Sequence, residues 1–194
     1  MVMATDRGGR KAEMFWGEIA PCEHLVQIYD GESAFLDSLE GFIAGGLRGG
    51  EGVVVIATPD HLAALEDRLR AGGSMNLSSP SIRDRYIALD ADQVLSSFMV
   101  DGWPDDALFE AVVSRLLERA GEGGRRVRAF GEMVALLWQR GNAGATVRLE
   151  HLWHKLCHER GFSLFCAYPR IGFTQDADAA IREICDAHSM VVDA

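Results

Sequence analysis

The sequence predicts an α/β fold of three layers, a mostly parallel sheet flanked by helices. Three observations predict it. Short apolar runs alternate with amphipathic helical stretches along the chain, the pattern of βα units joined by right-handed crossovers. One run, Val53–Ala57 (VVVIA), is continuously apolar and β-branched, as strands covered on both faces of a parallel sheet are. Each run ends in a polar or glycine-bearing turn that opens a helix.

Residues 1–20 are expected to form a flexible lead-in, with Phe15 and Trp16 able to dock on the body. Residues 21–194 form a single α/β domain. The first strand is His24–Tyr29, followed by the turn Asp30-Gly31-Glu32-Ser33. The helix Ala34–Leu47 places Phe35, Leu39, Phe42 and Ile43 on one face. Gly41, Gly45 and Gly46 weaken it by about 1 kcal/mol each relative to alanine, so close packing of backbone on a neighbour is expected there. After Val53–Ala57, Thr58 is placed as N-cap and Pro59 at the first helical position. Leu62, Leu65 and Leu69 form that helix's apolar stripe, and Gly72-Gly73 stop it. A polar loop, Ser74–Ser81, leads to the third strand, Arg85–Leu89.

Asp90 then caps a helix with Gln93 three residues on, and Val94, Leu95, Phe98 and Met99 form its inner face. Asp101–Pro104 breaks the chain before the helix Asp105–Ala120. Gly121–Gly124 turns into the fourth strand, Val127–Phe130. The Gly131-Glu132 turn opens the helix Met133–Arg140. A short Gly-Asn-Ala-Gly link joins it to the helix Thr146–Arg160. The fifth strand is Phe162–Tyr168, then Pro169-Arg170, and a last helix, Asp176–His188, closes the chain.

The 194 residues suit one domain with a sizeable core. Hydrophobic residues are 48% and charged residues 25%, which excludes a disordered chain. No apolar run approaches the roughly 18–20 residues a membrane-spanning helix needs. The formal net charge of −10 opposes a broad nucleic-acid footprint. Arg125, Arg126 and Arg128 form a small basic cluster, some of them pointing to solvent by strand alternation. The amino-terminal stretch lacks the apolar core of a secretory signal. Cys22, Cys157, Cys166 and Cys185 form no C-x-x-C pair, which points to reduced thiols and a cytoplasmic protein. Cys166, inside a strand, reads as core packing.

The first strand–turn–helix stands where a phosphate-binding loop would. A working loop needs spaced glycines, a lysine and a Ser/Thr for Mg²⁺. This turn has one glycine, no lysine and the acids Asp30 and Glu32, which repel a triphosphate. His151, His154 and His158 share one helix, and His154 and His158 have the spacing of two imidazoles on one metal. They fall nearly opposite the stripe of Leu149, Leu152, Trp153 and Leu156, and no third ligand accompanies them at useful spacing. Exposure is therefore expected of them, and neither metal nor cofactor. Trp138 and Trp153 sit on apolar faces and read as core.

Glu132 stands where a buried strand becomes a helix. In parallel sheets ligands bind at the carboxyl ends of strands. Asp30, Thr58, Asp90, Glu132 and Tyr168 all follow or end strands and share that rim. Tyr29, Ser33 and Arg170 adjoin it, which completes the candidate ligand-binding set; no catalytic residue is expected.

Several blocks together resemble a known family. They are His24–Asp30, Gly46–Glu51 with Val53–Thr58, Phe130–Met133 with Leu137-Trp138, Gly141-Asn142, Leu149–Trp153 and Cys166–Pro169. In order and spacing, over about residues 22–190, they resemble the MEDS domain, a sensory domain named for methanogen and methylotroph regulators that include the repressor DcmR. The resemblance implies a RecA/KaiC-like, P-loop-type fold without a working Walker A. It also implies a non-catalytic sensory role, binding a small molecule such as a hydrocarbon derivative, or a regulatory protein, in transcriptional or phosphorelay control. The alternative is a degenerate RecA/KaiC-like nucleotide-binding protein with weak or no ATPase activity. Neither direct nucleic-acid nor membrane binding is expected, and a homo-oligomer is left open.

Overall fold

The computed structural model describes residues 3–6, 11–13, 16–17, 19–20, 22–71, 75–170, 184 and 188–193. The strands are β1 (Met3–Asp6), β2 (Lys11–Glu13), β3 (His24–Tyr29), β4 (Gly52–Ala57), β5 (Tyr86–Asp90), β6 (Met99–Val100), β7 (Trp103–Pro104), β8 (Val127–Gly131), β9 (Ser163–Pro169) and β10 (Met190–Asp193). The helices are α1 (Glu32–Arg48), α2 (Pro59–Ala71), α3 (Pro80–Arg83), α4 (Ala91–Ser96), α5 (Asp106–Ala120), α6 (Met133–Gln139) and α7 (Ala143–Arg160).

The main sheet has the order β2-β1-β10-β3-β9-β8-β4-β5. The six strands from β10 to β5 are mutually parallel. The expected βα pattern therefore produces the expected sheet. Alternation along β4 shows the layering. Val53 and Val55 join the core formed with Phe35, Leu39 and Phe42 of α1 and Leu65 of α2. Val54 and Ile56 join the core formed with Phe109 of α5, Met133 of α6 and Trp153 of α7. All four valines and isoleucines are at most 1% exposed, as a strand covered on both faces requires.

The close approach expected at the α1 glycines is present. A Cβ on Gly46 would lie 2.9 Å from Arg128 Cδ and 3.2 Å from Val53 Cγ2. Arg128 is buried, so its stem has little room to retreat. Gly46→Ala is expected to destabilise by about 1–3 kcal/mol through overpacking, despite alanine's better helix propensity. Urea denaturation measures it, and a variant as stable as the parent would show that the helix can shift.

Some local readings change. Phe98 and Met99 leave the helix expected to hold them, because α4 ends at Ser96. The Ser96 and Ser97 hydroxyls donate back to the carbonyls of Gln93 and Val94, an alternative to continuing the helix. Met99 opens a hairpin with Trp103-Pro104 instead. Its turn residues, Asp101 and Gly102, both have positive φ, 48° and 80°, as a tight two-residue hairpin turn demands. The polar loop before β5 contains the short helix α3, started by Pro80.

The amino-terminal stretch contributes β1, which pairs antiparallel with β10, and β2 beside it. Trp16 docks against Phe42 and Phe165 as expected; Phe15 lies outside the described residues. Gly72 and Gly73 also lie outside them. So does most of the helix expected over Asp176–His188, of which Ile184 is helical and His188 is not. The Met190–Asp193 strand after it has no counterpart in the sequence reading.

The arginine cluster divides. Arg126 is exposed and reaches Glu51 at 2.7 Å. Arg128 is 1% exposed; its guanidinium pairs with Glu51 and donates to the carbonyls of Trp16 and Phe42 at 2.6 and 3.2 Å. It is a core cation tying β8, α1 and the lead-in together, not a rim residue.

Candidate functional site

The parallel strands bring the ends of β3, β4, β5, β8 and β9 to one edge. Glu132 stands at its centre. Gly131 before it packs on Trp153, and the Glu132 N–H continues the β8 ladder to the Ile56 carbonyl at 2.8 Å. The backbone then turns helical at φ −83° and ψ −9°. This swings the carboxylate toward the β4–α2 turn, where it is only 4% exposed. Its Oε2 accepts from the Thr58 backbone N–H at 2.8 Å and from the Thr58 hydroxyl at 3.3 Å. Its Oε1 accepts from His61 Nδ1 at 2.8 Å.

The buried carboxylate is thus held by three protein donors. Thr58 holds the N-cap position expected of it, its carbonyl accepting from the Leu62 N–H at 2.9 Å, while its hydroxyl donates to Glu132. The groups left to face a ligand are those around Glu132. The hydrogen bond to Glu132 raises the His61 pKa, burial lowers it in part, and the charges of Glu132, Glu32 and Asp60 add to the rise. His61 Nε2 lies 3.8 Å from the exposed Glu32. Tyr29 stacks on Phe35 at 4.8 Å, and Phe35 meets the edge of the His61 ring at 4.9 Å. Burial, then the Glu132 and Glu32 charges, push the Tyr29 phenol up to about 12, so it stays protonated at neutral pH.

Of the expected site residues, Tyr29, Thr58 and Glu132 come together. Asp30 and Arg170 pair with each other at 2.8 Å in solvent, an ion pair worth little by itself. Ser33 is exposed on α1, 3.4 Å from Arg68 Nη2. Asp90 is occupied as the cap of α4, accepting from the N–H groups of Asp92 and Gln93, as expected. Tyr168 lies elsewhere: it faces the opposite side of the sheet, fully buried, and its hydroxyl donates to Glu150 of α7. His61 is the residue missed. Its signal was its place in the first turn after a strand end, three residues beyond Thr58, where its ring meets the β8–α6 turn.

The three expected exposed histidines are not alike. His151 and His158 are exposed, but His154 is half-buried with its ring 5.8 Å from that of His24. At the opposite, amino end of the strands an open groove is lined by Arg125, Arg126, Arg160 and Phe162 among others. Arg126 is held by Glu51 and Arg160 lies 3.4 Å from Glu118, so two of its cations are already paired. Among the described residues no helix is long and apolar enough to cross a membrane.

The family model described as MEDS, the methanogen/methylotroph, DcmR sensory domain, matches residues 23–189. No curated protein matches the chain. A solved structure, a structural-project protein from Pyrococcus horikoshii OT3, is similar with a TM-score of 0.59 and 10% identity. The similarity covers 92% of this chain and 85% of that one. At that identity the likeness shows the fold alone.

Proposed function

The chain belongs to the MEDS family of sensory domains, and on that premise we propose that it is a non-catalytic sensor taking up a small molecule at the carboxyl rim. One observation carries the reading: the Tyr29–Phe35 stack stands against an imidazole held in place by a buried carboxylate. Aromatic faces beside a few fixed polar groups suit a small, largely apolar molecule with one hydrogen-bonding group, a hydrocarbon derivative. His61 and the Tyr29 hydroxyl are the contacts; Glu132 and Thr58 hold His61 in position. A nucleotide is disfavoured by the lysine-free β3–α1 turn with its acids Asp30 and Glu32. The sensor would serve cytoplasmic transcriptional or phosphorelay control.

A thermal-shift screen over short alcohols, haloalkanes and amines is expected to give saturable stabilisation. His61→Ala should weaken it roughly tenfold, the worth of one hydrogen bond in a dry site. Calorimetric titration with ATP should give no heat. Micromolar ATP binding, or ligand binding unchanged in both His61→Ala and Tyr29→Ala, would overturn the reading.

A further inference from the structure

On the face of the sheet away from Phe35 and His61 lies a second polar cluster, wholly buried. His24 opens β3. Cys166 sits in the middle of β9, next to it, on the same face. His188 immediately precedes the Ser189 turn into β10, on the other side of β3. Glu150 comes down onto them from α7. All four are at most 1% exposed. One ligating atom from each, the two imidazole nitrogens, the sulfur and a carboxylate oxygen, lies within 4.8 Å of all the others.

Four of the six distances between these atoms are close to the edges of a coordination sphere. His24 Nε2 is 3.5 Å from Cys166 Sγ and 3.5 Å from Glu150 Oε2. His188 Nε2 is 3.4 Å from Glu150 Oε2, and Cys166 Sγ is 3.7 Å from it. Tetrahedral Zn²⁺ with its usual bond lengths to nitrogen, oxygen and sulfur has ligand–ligand edges of about 3.3–3.7 Å. Neighbours outside the four orient them. The His188 Nδ1–H donates to the Ile184 carbonyl at 2.5 Å, which leaves Nε2 with its lone pair toward the cluster. The Tyr168 hydroxyl donates to Glu150 Oε1, which leaves Oε2, the oxygen nearest the other three ligands, to bind a metal through one atom. Such outer partners are how proteins orient metal ligands.

Charge is compatible with this. Burial raises the pKa of the Cys166 thiol and the Glu150 carboxyl, so their charged forms arise there with a cation beside them. With neutral imidazoles the set carries −2, and one divalent cation makes it neutral. We infer that His24, Glu150, Cys166 and His188 form a structural site for one Zn²⁺. Four protein ligands leave no open position, so the ion clasps rather than catalyses. It joins α7 to three adjacent strands and anchors β10, on which β1 pairs. On binding, the thiol proton and any proton on the Glu150 carboxyl leave to solvent. The site and the rim lie on different faces, so the failure of one reading leaves the other standing.

The test uses the full chain, stripped with a chelator and titrated with Co²⁺ and then Zn²⁺. The expected result is one equivalent of Co²⁺ with tetrahedral d–d bands and a thiolate charge-transfer band, displaced by Zn²⁺, with a rise in melting temperature. Cys166→Ser should lose the thiolate band and at least a hundredfold in affinity. Tyr168→Phe should weaken binding about tenfold through orientation of Glu150, and His151→Ala, on the exposed face of α7, should change nothing. If Cys166→Ser does not fold by circular dichroism, Glu150→Gln, of the same shape, replaces it and should lose at least tenfold. No stoichiometric Co²⁺ binding, or a spectrum without the thiolate band, would overturn the site. So would a spectrum and affinity retained by the Cys166 and Glu150 variants.

Discussion

Arg128→Met is expected to cost the domain about 3–5 kcal/mol, because removing one partner of a buried ion pair leaves the other charge uncompensated. Glu51 is 5% exposed and, among the described residues, would keep only Arg126, whose own side chain lies largely in solvent. The carbonyls of Trp16 and Phe42 would each lose the hydrogen bond from Arg128. In a domain of this size the fall in melting temperature should be on the order of 10 °C, read by calorimetry. Removing both charges tests the cause: Glu51→Met/Arg128→Met should recover a large part of the loss, since the stranded carboxylate is gone. A single variant within about 1 kcal/mol of the parent would mean that water reaches the pair. The methionine keeps most of the stem that fills the space beside Gly46, so charge rather than volume decides the outcome.

Arg128 also marks a limit of reading strands from sequence. The run Val127–Phe130 and its place in the sheet were legible, because apolar character and β-branching act locally. Which arginine of the cluster turns inward depends on α1 crossing over β8 and on Glu51, 77 positions away in the chain, arriving beneath it. The helix over 91–99 was overread for the opposite reason: Phe98 is buried as its pattern demanded, but from a turn rather than a helix. Apolar periodicity reports burial, and the serines at 96 and 97 decided the backbone. The last strand was missed because Met190–Asp193 is short and takes its identity from pairing with β3 and β1.

At the rim, strand-end position was enough to single out Glu132 and Thr58. It was not enough to find His61, because nothing in the local sequence distinguishes an imidazole facing another turn from one facing water. The buried cluster shows this more sharply. Tyr168 and Cys166 were assigned separately, one to the rim and one to plain packing. They share a face two residues apart on β9 and meet the same carboxylate. Glu150 carried a readable signal: three residues before Trp153, it falls inside the buried stripe of α7. His24 and His188, 164 residues apart, have ring centres at 3.8 Å only because β3 and β10 are neighbours.

Glu132→Ala should destabilise by about 1–3 kcal/mol, the cost of leaving buried donors unsatisfied, because the Thr58 N–H loses its acceptor. Glu132→Gln separates hydrogen bonding from charge. The amide oxygen can still accept from Thr58, but its NH₂ then faces His61 Nδ1, which must give up its proton to accept. In the parent, Glu132 raises the folded-state pKa of His61 above its unfolded value. The protonated pair's stabilisation is therefore fully present below about pH 6.5, the unfolded value, and is lost as pH rises through the folded one. Urea midpoints measured between about pH 6 and pH 9 should fall with rising pH in the parent. That slope should shrink in Glu132→Gln and lose its whole His61 part in His61→Asn and in the double variant, because burial and the charges of Glu32 and Asp60 still act on His61 when Glu132 is neutral. An unchanged slope in both single variants would place the pH dependence elsewhere and remove the electrostatic link between Glu132 and His61. An equal loss in His61→Asn and in the double variant, with a smaller one in Glu132→Gln, makes His61 the titrating group and Glu132 the main residue that sets its charge at the rim, where a ligand would meet it.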